Sequence, residues 1–191
     1  MTIYALVSEN SPVRLWGLSS AQRLQRQLKE ISKESPADLR DIQWLKKPED
    51  APSDSRILVL NGSFLFENRT LKGVLERLNA VLRHTDTTAA AAFIDAEHLQ
   101  PVLSHMQDAS QPLPADLNLV QTADMEAFDE NLRRSTQPLL EIVSEAGKAE
   151  LENRLYGNAY RGITDLVTKF AWPRPAKRAV HLCAALLGSA C

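Results

Sequence analysis

The sequence predicts an α/β fold: a three-layer sandwich around a mainly parallel sheet, followed by a C-terminal helical extension. Three observations carry this. Ile3–Val7, Arg56–Leu60 and Ala89–Ile94 are short apolar runs with the length of buried strands. Segments with helical spacing separate them, and strands that alternate with helices imply a parallel sheet with helices on its faces. Beyond residue 147 the pattern turns purely helical, punctuated by Gly147, Gly157, Gly162 and the Pro173/Pro175 pair. The expected division is therefore an α/β domain over residues 1–147 and a basic helical segment over 148–191.

The elements follow in order. Ile3–Val7 reads as a first strand. In Ser19–Ser32, Leu24, Leu28 and Ile31 share one helical face, and Ser19 or Ser20 can cap the start. Ile42–Leu45 reads as a short strand, and Lys46–Ser55, with Pro48 and Pro52, as a loop. Arg56–Leu60 (RILVL) reads as the central strand, running into the turn signal Asn61-Gly62-Ser63. Leu71, Val74, Leu75, Leu78 and Leu82 keep helical spacing, which predicts a helix over Thr70–Arg83. Ala89–Ile94 reads as a strand, Glu97–Gln107 as a helix and Leu117–Val120 as a strand. Met125–Ser144 reads as a long helix that Pro138 kinks or divides.

Charge is distributed unevenly. From Arg154 to Cys191 there are six Lys/Arg against one acid, Asp165, a net of +5; the whole chain is −2, so residues 1–153 carry −7. Cys183 and Cys191 lie together at the C-terminus, which excludes a disulfide framework and agrees with a reducing setting. The start, MTIYALVSENSPV, lacks the basic and apolar regions of a signal peptide. Leu182–Leu187 is far shorter than the ~20 apolar residues of a spanning helix.

In an open α/β sheet, ligands bind beyond the carboxyl ends of the strands. Here those ends are expected to carry Ser8–Arg14, Asn61–Ser63 and Asp95. Arg14 and Arg23 are candidates to hold a phosphate, against the plainer reading of solvated arginines. Asn61 and Ser63 follow the central strand where a metal-dependent nucleotidyltransferase wants a carboxylate to hold Mg²⁺. Asp95 could serve that role, or simply cap the next helix. Only Gly17 lies in the first loop, so G-x-G-x-x-G and the P-loop are both absent. His98 and His105 are seven residues apart, a poor spacing for a metal pair, and read as partly exposed histidines. No metal site is expected.

The tail interleaves aromatics with cations. Arg161, Lys169, Trp172, Arg174, Lys177 and Arg178 are the candidates for contact with lipid headgroups. An ordinary helical hairpin, with Asp165 and Lys169 paired across one turn, is the plainer alternative.

One resemblance adds to this. Leu151–Gly188, reading LENRLYGNAYRGITDLVTKFAWPRPAKRAVHLCAALLG, resembles the segment just before the first membrane helix of the CDP-alcohol phosphatidyltransferase family. In a subset of that family a soluble nucleotidyltransferase-like domain precedes the membrane enzyme, and RILVLNGSFLF resembles the central strand of such domains. The resemblance implies the cytosolic N-terminal portion of a membrane CDP-alcohol phosphotransferase of phospholipid biosynthesis, cut short before the membrane helices. The full-length enzyme would displace CMP from a CDP-linked donor with an alcohol acceptor. It would use Mg²⁺ or Mn²⁺ and would dimerise through its membrane domain.

The family's signature, D-G-x2-A-R-x8-G-x3-D-x3-D, is absent, so this chain is assigned no catalytic residue and no cofactor. Arg14 and Ser63 stand where the nucleotidyltransferase hallmarks would be. Two alternatives remain open: a nucleotidyltransferase acting on a sugar or polyol phosphate, and a catalytically inactive binding or adaptor domain. The implied partners are an anionic membrane surface and a CDP- or CTP-type nucleotide, with no nucleic acid. The implied place is the cytoplasmic face of a membrane, the chain itself being soluble or peripheral.

Overall fold

The computed structural model describes residues 2–34, 42–84, 88–129 and 134–159. The chain divides into two units, residues 1–148 and 149–191. The elements in order are β1 (Ile3–Glu9), α1 (Ser20–Glu34), β2 (Ile42–Trp44), β3 (Arg56–Asn61), β4 (Phe64–Phe66), α2 (Asn68–Leu75), β5 (Ala80–Arg83), β6 (Ala89–Asp95), α3 (Leu99–Gln107), β7 (Asn118–Val120), β8 (Phe128–Asp129), β9 (Arg134–Ser135), β10 (Leu140–Ile142) and α4 (Lys148–Ala159). In the second unit the described residues are the helical ones up to Ala159. Among the described residues, no helix is long and apolar enough to cross a membrane.

The fold is mixed α/β with a mostly parallel six-stranded sheet, ordered β2-β1-β3-β6-β5-β7. β1 pairs in parallel with β2 and β3, and β5 with β7, whereas β6 runs antiparallel to both β3 and β5. β3 is central, as RILVL predicts: Ile57, Leu58, Val59 and Leu60 are all fully buried. Their alternation feeds two cores. Leu58 and Leu60 pack with Leu24, Leu28 and Ile31 of α1 and Leu71 and Val74 of α2. Ile57 and Val59 pack with Leu99, Val102, Leu103 and Met106 of α3.

α1 begins with a capping box. Ser19 Oγ accepts from the Gln22 amide at 3.3 Å, and Gln22 Oε1 accepts from the Ser19 amide at 3.1 Å.

Two expectations fail. The helix expected over Thr70–Arg83 ends at Leu75, and Ala80–Arg83 is β5. Asn79 reverses the chain with a φ of 56°, a left-handed conformation asparagine tolerates. Leu82 still reaches the core of α1 and α2 from a strand, so an apolar residue at helical spacing gave no warning. The long helix expected over Met125–Ser144 is also absent. Thr122–Asp124 forms one 3-10 turn, β8 pairs with β9, and β10 pairs antiparallel with β4.

Side chains from the start of α2 impose that shape, a tertiary override of local propensity. Glu67 Oε2 accepts from the Leu139 amide at 2.9 Å, and Thr70 Oγ1 donates to the Leu139 carbonyl at 2.9 Å. Arg69 Nη1 donates to the carbonyls of Ala127 at 2.8 Å and Thr136 at 3.0 Å. β10 thus belongs to the α/β unit.

Candidate functional site

The order β2-β1-β3 puts a topological switch point between the carboxyl ends of β1 and β3, where a ligand crevice is expected. The chain itself closes it. The Gly62 amide donates to the Glu9 carbonyl at 2.8 Å. A Cβ at position 62 would lie 2.0 Å from that oxygen, so only glycine lets the two strand ends come this close. The Ser63 amide donates to Asn61 Oδ1 at 2.9 Å, and Asn61 is buried. The Ser63 carbonyl accepts from the Val143 amide at 2.8 Å. Ser20 Oγ donates to Asn10 Oδ1 at 3.3 Å, and the Val13 amide donates to Ser11 Oγ at 3.2 Å. The amides of Gly62 and Ser63 are thus already committed, and no open nest for a phosphate remains there.

Arg23 is different. It lies one turn into α1 and is only 9% exposed. Nη2 donates to the Phe64 carbonyl at 3.3 Å, while Nε and Nη1 are buried without a partner. Gln27, one turn further on, donates to the Phe66 carbonyl at 2.8 Å. The two side chains thus serve alternate carbonyls of β4, whose other edge pairs with β10. Burial holds the Arg23 guanidinium below the ordinary arginine range. A buried cation with one neutral acceptor is unfavourable alone and suits an added anion.

Arg14 stands apart, exposed, with Nη1 donating to the Gly17 carbonyl at 3.4 Å. It braces a two-residue turn closed by reciprocal Leu15 and Leu18 backbone bonds of 3.2 and 3.0 Å. The turn residues are Trp16, with φ 48°, and Gly17, with φ 76°. Leu15 anchors the turn in the core, while Trp16 is 57% exposed.

Asp95 does not belong to this end of the sheet. β6 is antiparallel to β3, so Asp95 pairs with Arg56 at the amino end of β3, while Asn61 pairs with Glu9 at the other. Five residues of strand separate the two ends, roughly 16 Å. The Asp95 carboxylate accepts from Asn79 Nδ2 at 3.0 Å, and its amide donates to Asn79 Oδ1 at 3.0 Å. It fixes the left-handed turn before β5. The sequence shows that Ala89–Asp95 is a strand but not which way it runs, and that direction decides the matter.

The histidines are buried rather than partly exposed. His98 Nε2 meets Asp116 Oδ2 at 2.9 Å, and His105 Nδ1 meets the Gln111 carbonyl at 2.6 Å. Among the described residues, no group of three or more His, Cys, Asp or Glu is placed to hold a metal ion. Arg161, Lys169, Trp172, Arg174, Lys177 and Arg178 lie outside the described residues.

Of the five nucleotide candidates, the sheet's carboxyl end thus gathers Arg14, Arg23, Asn61 and Ser63. Asn61 is buried and holds the Ser63 amide, Ser63 is half-buried beside it, and Arg14 and Arg23 are the two cations of the set. The Trp16-Gly17 turn escaped the sequence reading, although a glycine between the apolar Leu15 and Leu18 was a visible turn signal. No protein-family model matches this chain, and no curated protein sequence is significantly similar to it.

Proposed function

We propose that residues 1–147 are a catalytically inactive binding domain belonging to a CDP-alcohol phosphotransferase of phospholipid biosynthesis. In this reading they form a nucleotidyltransferase-like three-layer sandwich, and residues 148–191 are its basic juxtamembrane segment at the cytoplasmic face. The observation that supports the inactive reading is the closed switch point: the Gly62 amide is bound to the Glu9 carbonyl between the carboxyl ends of β1 and β3. Glu9 is the one carboxylate in the first loop's approach to it, and Asp95 is at the opposite end. Nucleotidyl transfer to a sugar or polyol phosphate needs carboxylates that hold a divalent cation against the phosphates. Among the described residues, no group of three or more His, Cys, Asp or Glu is placed to hold a metal ion.

Support for the membrane half comes from charge. Each Lys or Arg near an anionic bilayer contributes about 1 kcal/mol, and half of the six tail cations give about 3 kcal/mol. That is roughly a hundredfold in partition. The test is sedimentation of the full chain with anionic and with neutral vesicles at low salt. Preferential pelleting with anionic vesicles, weakened when Arg174, Lys177 and Arg178 are changed together to Ala, is the expected result. Equal pelleting with both vesicle types would refute the juxtamembrane reading.

A further inference from the structure

Arg23 is a buried cation with more donors than partners. A guanidinium has five N–H donors, and it does not relieve its burial by giving up a proton. Here the Phe64 carbonyl accepts from Nη2, while Nε and Nη1 are buried without a partner. α1 has no acid in its first turn, and β4 is the uncharged run Phe64–Phe66. Charged donors left unmade inside a fold are costly, so the place calls for a further group.

Gln27, one turn on and on the same helical face, has the complementary deficit. Its Nε2 donates to the Phe66 carbonyl at 2.8 Å and to Asn68 Oδ1 at 3.2 Å, which fixes the orientation of the amide. Oε1 is then a buried acceptor without a donor. The Phe64 and Phe66 carbonyls that anchor the two side chains stand about 7 Å apart along the strand. A tetrahedral oxyanion with a hydrogen bond at either end spans such a gap. The group that completes the site must accept from Arg23 and donate to Gln27. An ionised carboxylate only accepts. Hydrogen phosphate does both, because it keeps a P–OH near neutral pH. Sulfate has the same shape and no hydroxyl. Nε, Nη1 and Gln27 Oε1 are all closed to solvent, so the occupant is a small free ion rather than the phosphate of a nucleotide or a lipid.

We propose that Arg23 and Gln27 form an internal oxyanion site between α1 and β4 that takes hydrogen phosphate. The spare guanidinium donors meet its oxygens, and its hydroxyl donates to Gln27 Oε1. The ion is taken up as α1 packs on β4 during folding. The inference goes beyond the function proposed above and stands without it.

The test is thermal unfolding of the full chain after refolding from urea in sodium phosphate, sulfate or chloride, near neutral pH and at matched ionic strength. Phosphate and sulfate also stabilise proteins generally, through exclusion from the surface, and the tail cations attract either ion. Arg23→Met keeps both effects, so the site is read as the difference between the two proteins. In chloride their Tm values should be close. With a Kd on the order of 1 mM, about 50 mM phosphate should raise Tm of the unmodified chain by about 4–8 °C more than that of Arg23→Met. Sulfate should give about half of that difference or less. Gln27→Met, which removes Oε1, should lower the phosphate response to the level of sulfate. CMP should give no shift that depends on Arg23; one as large as that of phosphate overturns the enclosed site. Equal responses of the unmodified chain and Arg23→Met to phosphate overturn the proposal, since ordered water alone then fills the donors. A phosphate response no larger than that to sulfate in the unmodified chain, which needs no variant, overturns it as well.

Discussion

Gly62→Ala should be among the most damaging small substitutions in this protein. The new methyl would stand 2.0 Å from the Glu9 carbonyl oxygen, 3.1 Å from its carbon and 3.0 Å from Ser20 Oγ. Two of these are backbone atoms, so no rotamer change relieves the contact. Carbon and oxygen settle near ~3.3 Å, so the end of β1 must retreat by more than an ångström. The Gly62–Glu9 hydrogen bond, now 2.8 Å, is then lost. An unmade buried hydrogen bond costs about 1–3 kcal/mol, and forced repacking about 1–3 kcal/mol more. One effect has the opposite sign. The φ of Gly62 is not in the left-handed region, so alanine can adopt it, and its stiffer unfolded chain returns about 0.4–1 kcal/mol. The net loss is roughly 1–5 kcal/mol, a fall in Tm of about 2–20 °C for a domain of this size. Thermal denaturation followed by circular dichroism measures it. A Tm equal to or above that of the unmodified chain would refute the latch.

Two further substitutions separate structural from binding roles. Arg69→Ala removes the donor to Ala127 and Thr136 and should cost about 2–4 kcal/mol, with amide exchange faster first at Thr136 and Leu139; uniform exchange with unchanged stability would contradict the clamp. Arg23→Met removes a buried cation with one neutral partner and should leave stability within about 1 kcal/mol or raise it. Burial lowers the Arg23 pKa, so its penalty is full below the folded-state value and lifts only as pH rises through it. The difference between the two proteins in urea denaturation should therefore stay flat from about pH 5 to 8, and a loss in Arg23→Met well beyond 1 kcal/mol would contradict the reading.

Much of the fold is legible in the sequence where one physical signal dominates. The apolar run of Ile57–Leu60 marks the central strand, and Ser19 or Ser20 marks the start of α1, where the structure has Ser19 as the cap. The reading fails where two signals coincide. Leu78 and Leu82 keep helical spacing after α2 has ended, and only the Asn79 turn, tied to Asp95, shows that β5 begins there. It fails again over the described residues of 125–144, where the side chains of Glu67, Arg69 and Thr70, distant in sequence, hold Thr136 and Leu139 outside any helix. The candidate site shares this limit. Arg14 and Arg23 lie in and just after the first loop, but strand direction moves Asp95 to the far end, and the Asn61 side chain is taken up by the Ser63 amide.

The central claim is that the α/β domain binds without catalysing. It is tested most directly by titrating CTP with Mg²⁺ into the full chain and then assaying the same sample, with a polyol phosphate added, for released pyrophosphate. The account predicts weak saturable binding and no release above a protein-free blank. Pyrophosphate that accumulates in proportion to protein and depends on Mg²⁺ would contradict it.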